Sequence, residues 1–276
     1  MKSIEELRET KGTFSVMKAI SDGWRLISQH LGYYIGAGLI TVIMGMIVGF
    51  IPFIGGLVNN LVLTPCFMAS AIYITWRISK GYGWTDFGDM FKGFSYATPV
   101  VISTLIQTFV MVVIGLLCFF SLLPELVDLW ELSQGGGAYQ NQEEIAALVQ
   151  NIFLSAKAIL LFCVFMLAML FVSVIWAFKI HFIVIYQMDA WPAMELSRKI
   201  TTPNLLRLIG LFILIGLIIV VSLLPCGIGL LFSLPLSIGA IYSAFAQITG
   251  CDQPDGDSNY MFDFMAGENE GGQQGV

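Results

Sequence analysis

The chain has 276 residues, of which 57% are hydrophobic and 12% are charged, and its formal net charge is −6. A soluble globular domain carries about 25% charged residues, so this composition excludes an ordinary soluble protein. There is no stripe of Lys and Arg with interleaved aromatics, which argues against nucleic acid as a partner. The five cysteines have no CxxC spacing, which argues against a disulfide framework or a zinc site.

Six apolar segments are long enough to cross a bilayer, because a membrane-spanning helix needs about 20 mostly apolar residues. We predict these spans at 32–51, 57–78, 98–122, 153–178, 205–224 and 228–249. The sequence therefore predicts an all-α integral membrane bundle of six transmembrane helices. Residues 1–31 form the N-terminal and interfacial segment of this protein, and 32–250 form its transmembrane domain.

The charges outside the spans have opposite signs on the two predicted sides. The N-terminal segment and the second and fourth connections carry most of the Lys and Arg, whereas the third connection, 123–152, is acidic and has no basic residue. Because basic loops stay on the cytoplasmic side, we predict a multi-pass protein of the bacterial inner (cytoplasmic) membrane with both termini in the cytoplasm. The tail 251–276 is rich in Gly, Asp, Glu and Gln, and we expect it to be disordered.

Residues 14–81 and 191–250 share one layout. Each begins with an aromatic-x-x-Met segment, FSVM or WPAM, and continues with a mildly amphipathic stretch, a span, a Pro/Gly turn and a span with an internal Pro. The middle spans form a possible third copy, which FGDM precedes. The pattern predicts two or three parallel repeats, each an interfacial helix followed by a hairpin of spans. The interfacial stretches lie near 14–30, 84–97 and 188–203.

A few polar residues and prolines fall inside the predicted spans. Asn59 and Asn60 open the second span, where we expect them to cap the helix. Gln107 lies deeper and needs a partner in hydrocarbon, so we expect an interhelical hydrogen bond, with a pore-lining role as the alternative. Pro65 and Pro235 occupy matching places in two repeats. They predict kinks, and broken half-helices at a transport site are the alternative.

Three ionisable side chains flank the fourth span. Lys157 lies near its outer end, and Lys179 and His181 lie near its inner end. We expect both lysines to snorkel to the headgroups and His181 to be an interfacial polar tip. For the lysines the alternative is a proton or substrate relay, and for His181 it is a metal site with His30. Small residues in the spans predict close helix packing. These glycines are Gly36, Gly38, Gly210, Gly216, Gly229 and Gly239.

Enzyme signatures are absent from the sequence, including HExxH, GxSxG, a phosphate-binding P-loop and paired carboxylates on a membrane-facing loop. Ser197 has no neighbouring His to activate it, so a surface position on its helix is expected. We therefore expect no catalytic, cofactor or metal site.

Residues 189–248 resemble the recurring unit of a broad group of uncharacterised bacterial polytopic membrane proteins. The similarity is carried by Trp191, Ser197 before the basic pair, Asn204, the turn at 227–229 and Pro235. Some members of this group are the membrane domain fused to glycerophosphoryl diester phosphodiesterases. The resemblance implies a six-span helical protein of repeated helix-plus-hairpin units. It implies no hydrolase activity, because the catalytic domain and its His and Glu metal ligands are absent here.

The sequence favours a non-enzymatic scaffold or accessory subunit that binds lipid or a protein partner through its interfacial helices, by which it could also self-associate. This prediction rests on the shortage of polar groups inside the spans. The alternative is a transporter of small solutes or lipids built on parallel repeats. A water-accessible cavity lined by Gln107 or Asn59 would favour the transporter.

Overall fold

The computed structural model describes residues 12–52, 54–82, 86–124, 154–224 and 227–251, together with positions 6, 7, 127, 130, 146 and 150. Every regular element within this part of the chain is helical. Six of its helices are long and apolar enough to cross a membrane. The prediction of an all-helical chain with six helices able to span a membrane is therefore confirmed for this part of the chain. The acidic connection lies mostly outside the described residues, as does the tail beyond Cys251.

The helices follow each other with short connections, except for the long acidic connection that separates Ser121 from Ala156. In chain order they are α1 (Val16–Ser28), α2 (Leu31–Gly49), α3 (Ile54–Ser79), the 3₁₀ helix (Phe87–Tyr96), α4 (Ala97–Ser121), α5 (Ala156–Ile175), α6 (Lys179–Tyr186), α7 (Ala190–Thr201), α8 (Leu205–Leu223) and α9 (Leu230–Thr249). The six spans are α2, α3, α4, α5 with α6, α8 and α9. One 3₁₀ turn, Thr202–Asn204, joins α7 to α8.

The spans are apolar around most of their circumference, as helices surrounded by lipid are. Two of them form the centre of the bundle: 56% of the α9 window and 39% of the α3 window are buried, compared with 6% for the window in α5 and α6. The other spans surround α3 and α9 and present large apolar side chains outward. Burial within the protein is therefore concentrated in α3 and α9, which are the last spans of the matching segments 14–81 and 191–250.

One end of the bundle gathers the basic residues, and we call it the basic end. Side chains from distant segments meet there: the Ser79 and Tyr242 hydroxyl oxygens are 2.6 Å apart, and the Asn204 amide donates to the Gly12 carbonyl at 2.7 Å. The basic residues of the three short helices α1, 3₁₀ and α7 lie at this end. Lys157, in the first turn of α5, lies at the opposite end.

Helix α1 crosses α9 with its backbone almost in contact. A Cβ atom at Gly23 would lie 2.5 Å from the Ala240 nitrogen, and one at Gly239 would lie 2.7 Å from the Gly23 oxygen. Gly93 in the 3₁₀ helix approaches the backbone of α3 at Cys66 and Ser70 in the same way, and the Gly93 N–H donates to Ser70 Oγ at 2.8 Å. Only glycine permits these two crossings.

The glycines that were predicted to permit packing behave differently from each other. Gly239 fits the prediction, and Gly229 lies against Ser222 in the α8–α9 turn. The prediction is wrong for Gly38, Gly210 and Gly216, because a Cβ atom there would meet nothing within 4 Å. Gly36 would make only ordinary contact with a Phe87 ring.

Candidate functional site

The fourth span is broken near the basic end, between α5 and α6. Helix α5 ends at Ile175 and α6 begins at Lys179. The Ser197 hydroxyl of α7 donates to the Ile175 carbonyl at 2.9 Å and accepts from the Phe178 N–H at 3.2 Å. The Thr201 hydroxyl also donates to Ile175 O, at 3.0 Å. Side chains of α7 thus replace backbone hydrogen bonds that the break removes. Ser197 is fully buried and not a surface residue as predicted.

Lys179 begins α6 directly after this break. Its side chain is buried, and its Nζ donates to the Ser103 carbonyl of α4 at 3.0 Å. No carboxylate of the described residues lies within ion-pair distance of it. The prediction that Lys179 snorkels to the headgroups is wrong, because protein atoms surround the ammonium group. A buried ionisable residue in a span marks a functional site by default.

His181 lies two residues further along, inside an aromatic cluster. Its ring centroid is 5.0 Å from that of Phe245, 5.7 Å from Phe178 and 6.4 Å from Tyr242. The side chain is only 3% exposed, and neither ring nitrogen has a hydrogen-bond partner among the described residues. The prediction of an interfacial tip is therefore wrong. Within the described part of the chain, no three His, Cys, Asp or Glu residues lie close enough to hold a metal ion.

A cavity of about 290 Å³ opens at the basic end between α3, the 3₁₀ helix and the turn that joins α6 to α7. We call it the Gln187 cavity. Its polar lining comprises Tyr73, Lys92, Ser95, Tyr96, Gln187 and Asp189. Its apolar floor includes Pro99 and Ile183, one helical turn from Ser103 and Lys179 respectively. The cavity and the buried lysine are therefore neighbours along the same two helices.

A second cavity, of about 230 Å³, lies between α1, the end of α3 and α9. Lys18, Asp22 and Arg25 line one side of it, and Asp22 forms an ion pair with Arg25 at 3.4 Å. Tyr242 and Ser79 line the other side. Both cavities lie among charged side chains at the basic end.

The polar residues that were predicted as candidates lie elsewhere. Asn59 and Asn60 do not cap a helix, because α3 begins at Ile54 and both lie in its π-helical segment Asn59–Leu63. The Asn60 amide donates to the Gly56 carbonyl at 2.8 Å, and the Asn59 side chain packs against Gly45 of α2. Neither asparagine lines the two cavities.

Gln107 is half-buried in α4, and its side-chain amide makes no hydrogen bond to a described residue. The expected interhelical bond is thus absent from this part of the chain, and Gln107 lines neither cavity. Lys157 is exposed in the first turn of α5, after the Ser155 cap, and its snorkelling to the headgroups stays a prediction.

The two prolines lie inside continuous helices. Pro65 follows the π segment of α3, whose wider turn accommodates a residue without an N–H, and Pro235 lies inside α9. Neither proline divides its span into half-helices. The discontinuous span is the fourth one, where no Pro or Gly marks the break, so sequence reasoning missed it. The one available signal was a lysine and a histidine two residues apart within an apolar run.

No protein-family model, no curated protein and no solved structure matches this chain. Its function therefore has to be argued from its own residues.

Proposed function

We propose that the protein is a non-enzymatic membrane scaffold or accessory subunit that binds lipid or a protein partner at its basic end. The observation that carries this proposal is the surface of the three short helices. Each exposes aromatic rings or a methionine on the same helix as a basic side chain, and these pairs are Met17 with Lys18, Trp24 with Arg25, Phe91 with Lys92, and Trp191 with Arg198. Apolar and basic side chains on one helix are typical of helices that lie in the headgroup region.

The sided charge supports an orientation with the basic end in the cytoplasm of a bacterial cell, at the inner membrane. Single-cysteine variants of a cysteine-free protein test it in whole cells. A cysteine at exposed Gln29 should react only after the membrane is made permeable, and one in 134–142 should react with an impermeant reagent in intact cells. The opposite pattern would refute the orientation.

Three parallel units are the architecture that the contacts favour. In each unit a short helix precedes a hairpin of spans and packs on the last span of another unit: α1 on α9, the 3₁₀ helix on α3, and α7 on α5 and α6. The contact residues are small in all three cases, Gly23, Gly93 and Ser197. The last spans also end alike, on residues with positive φ: Gly81, Gln187 and Gly250. Such a ring of units supports a pseudo-threefold axis along the membrane normal.

Affinity purification of the full chain from native membranes, followed by mass spectrometry of copurifying proteins and lipids, tests the proposal. We expect a lipid or protein to copurify with the chain, and we expect its binding to weaken when Arg25 and Arg198 are both changed to Gln. The matched control is Lys157→Gln, which removes an exposed charge at the opposite end. Recovery of the chain with no bound protein or lipid would refute the scaffold function.

The broken fourth span favours a second candidate, a transporter. Discontinuous helices with buried ionisable groups form the sites of many transporters, and Lys179 and His181 lie at such a break. The test is proton flux into liposomes that contain the purified protein, driven by a membrane potential. Lys179→Met should abolish flux while the protein remains folded. The absence of flux with the unmodified protein would reject proton transport.

A further inference from the structure

We propose that the Gln187 cavity binds the zwitterionic headgroup of a membrane phospholipid, a phosphate followed by an ammonium group. This inference rests on the proposed function and names the lipid and its site. The cavity lies where α4 enters and α6 leaves the bundle, at the basic end, which the proposed orientation places in the cytoplasmic headgroup region. Its volume of about 290 Å³ accommodates a headgroup of this size.

The cavity contains one positive and one negative side chain that do not neutralise each other. Lys92 of the 3₁₀ helix and Asp189 before α7 both line it, and they form no ion pair with each other. The Asp189 side chain also makes no capping bond to α7, although it occupies the N-cap position. Two separated opposite charges fit a ligand that carries both signs. A headgroup phosphate pairs with Lys92, and its ammonium group pairs with Asp189.

The backbone at Gln187 supports a role for its side chain. Gln187 has a φ of 51° and is the one non-glycine residue in the left-handed region within the described chain. The equivalent positions after α3 and α9 are Gly81 and Gly250, for which this conformation is free of strain. A side chain at such a position strains the backbone, and strain of this kind is concentrated at functional sites. The Gln187 amide makes no hydrogen bond to a described residue and is available to the phosphate or the ester oxygens.

The remaining lining matches the other parts of a phospholipid. The ring of Tyr96 borders the cavity, and aromatic faces attract ammonium groups. The ring of Tyr73 borders it too, but the Arg77 guanidinium already lies over that ring, 5.8 Å from its centroid. Ser95 offers a hydroxyl donor. Pro99 and Ile183 form an apolar floor against which the glycerol and the first acyl carbons can pack. One cavity thus provides a partner for each part of the lipid head.

Native mass spectrometry of the full chain in detergent micelles tests the site, with short-chain phosphatidylethanolamine, phosphatidylglycerol, inorganic phosphate and free phosphoethanolamine as probes. Phosphatidylethanolamine should bind most tightly. Lys92→Gln should lower the affinity of the protein for both lipids about tenfold, since a lost charged hydrogen bond is worth about 1.5 kcal/mol. Asp189→Asn should lower the affinity for phosphatidylethanolamine about tenfold and leave the affinity for phosphatidylglycerol unchanged. The matched controls are Lys199→Gln and Glu195→Gln, an exposed ion pair of α7 outside the cavity.

Gln187→Gly separates a binding role from a structural one. It removes backbone strain, so the variant should fold and be at least as stable as the unmodified protein, while its affinity for phosphatidylethanolamine falls. Unchanged affinity in this variant would show that the amide has no role in the site.

Three further outcomes would overturn the proposal. Equal affinity for the two lipids, unchanged by Asp189→Asn, would exclude a zwitterion site. Displacement of the lipid by inorganic phosphate or phosphoethanolamine at the same concentration would identify a soluble ligand in place of a lipid. If lipid or protein copurifies with the chain and no cavity variant reduces the amount bound, this cavity is not the binding site, whereas the proposed function still holds.

Discussion

The crossing of α1 and α9 makes a sharp prediction about Gly23→Ala. The added Cβ atom would lie 2.5 Å from the Ala240 nitrogen and 2.6 Å from the Gly239 carbonyl carbon. These are backbone atoms of a central span, so the neighbour cannot rotate away and the helices must separate. Ordinary contact begins near 3.4 Å, so a separation of about 1 Å is needed, which removes much of the dispersion attraction across the crossing.

Overpacking of this kind costs about 1–3 kcal/mol, and we expect the upper half of that range because the clash is with backbone. At roughly 2–4 °C per kcal/mol for a chain of this size, the apparent Tm should fall by about 4–12 °C. The assay is thermal unfolding in detergent micelles, followed by size-exclusion chromatography of the remaining monodisperse protein.

Gly38→Ala provides the matched control, because it adds the same methyl group inside α2, where nothing lies within 4 Å. It should leave the apparent Tm unchanged or raise it slightly, since Ala favours the helix. Equal stability of Gly23→Ala and Gly38→Ala would refute the role assigned to the crossing.

Three other variants test the polar contacts at the basic end. Ser197→Ala should lower stability by about 1–3 kcal/mol, because it leaves the buried Phe178 N–H without its partner while Thr201 still donates to the Ile175 carbonyl, whereas exposed Ser28→Ala should have little effect on the same melting curve. Tyr242→Phe should cost about 1 kcal/mol by removing its bond to Ser79, and an unchanged Tm would contradict that contact. Lys179→Met should keep or raise the Tm, because a buried ammonium group with no carboxylate partner among the described residues is replaced by an apolar side chain of similar length; a large loss of stability would show that the Lys179 bond to Ser103 holds α4 to α6.

Much of the architecture could be predicted from local patterns. Leu31–Gly49 and Leu205–Leu223 are apolar runs of membrane length, and hydropathy is a property of each segment alone. The short helices before the spans were also predictable, because their mixed apolar and basic residues occur at helical spacing. The turn after α9 follows from Gly250, which adopts a positive φ of 68°.

The candidate site could not be predicted in this way. Lys179 and Lys157 both lie near an end of the same apolar run, yet one is buried against the Ser103 carbonyl and the other is exposed. The difference depends on where α4 lies, some 76 residues earlier in the chain. Snorkelling was the right expectation for a helix that lipid surrounds and the wrong one for a helix packed against its neighbours.

The sequence by itself determined the number of spans, their approximate limits and the asymmetry of charge between the two ends. Only the tertiary structure decided which glycines are contact points, since Gly23 of α1 meets the backbone of α9 and Gly38 of α2 has nothing opposite it within 4 Å. It also decided that the fourth span breaks after Ile175, because the backbone groups freed there are satisfied by Ser197, which lies 22 residues further along the chain. Local composition fixes which segments enter a membrane, whereas contacts between distant segments fix where a span can break and where a charge can be buried.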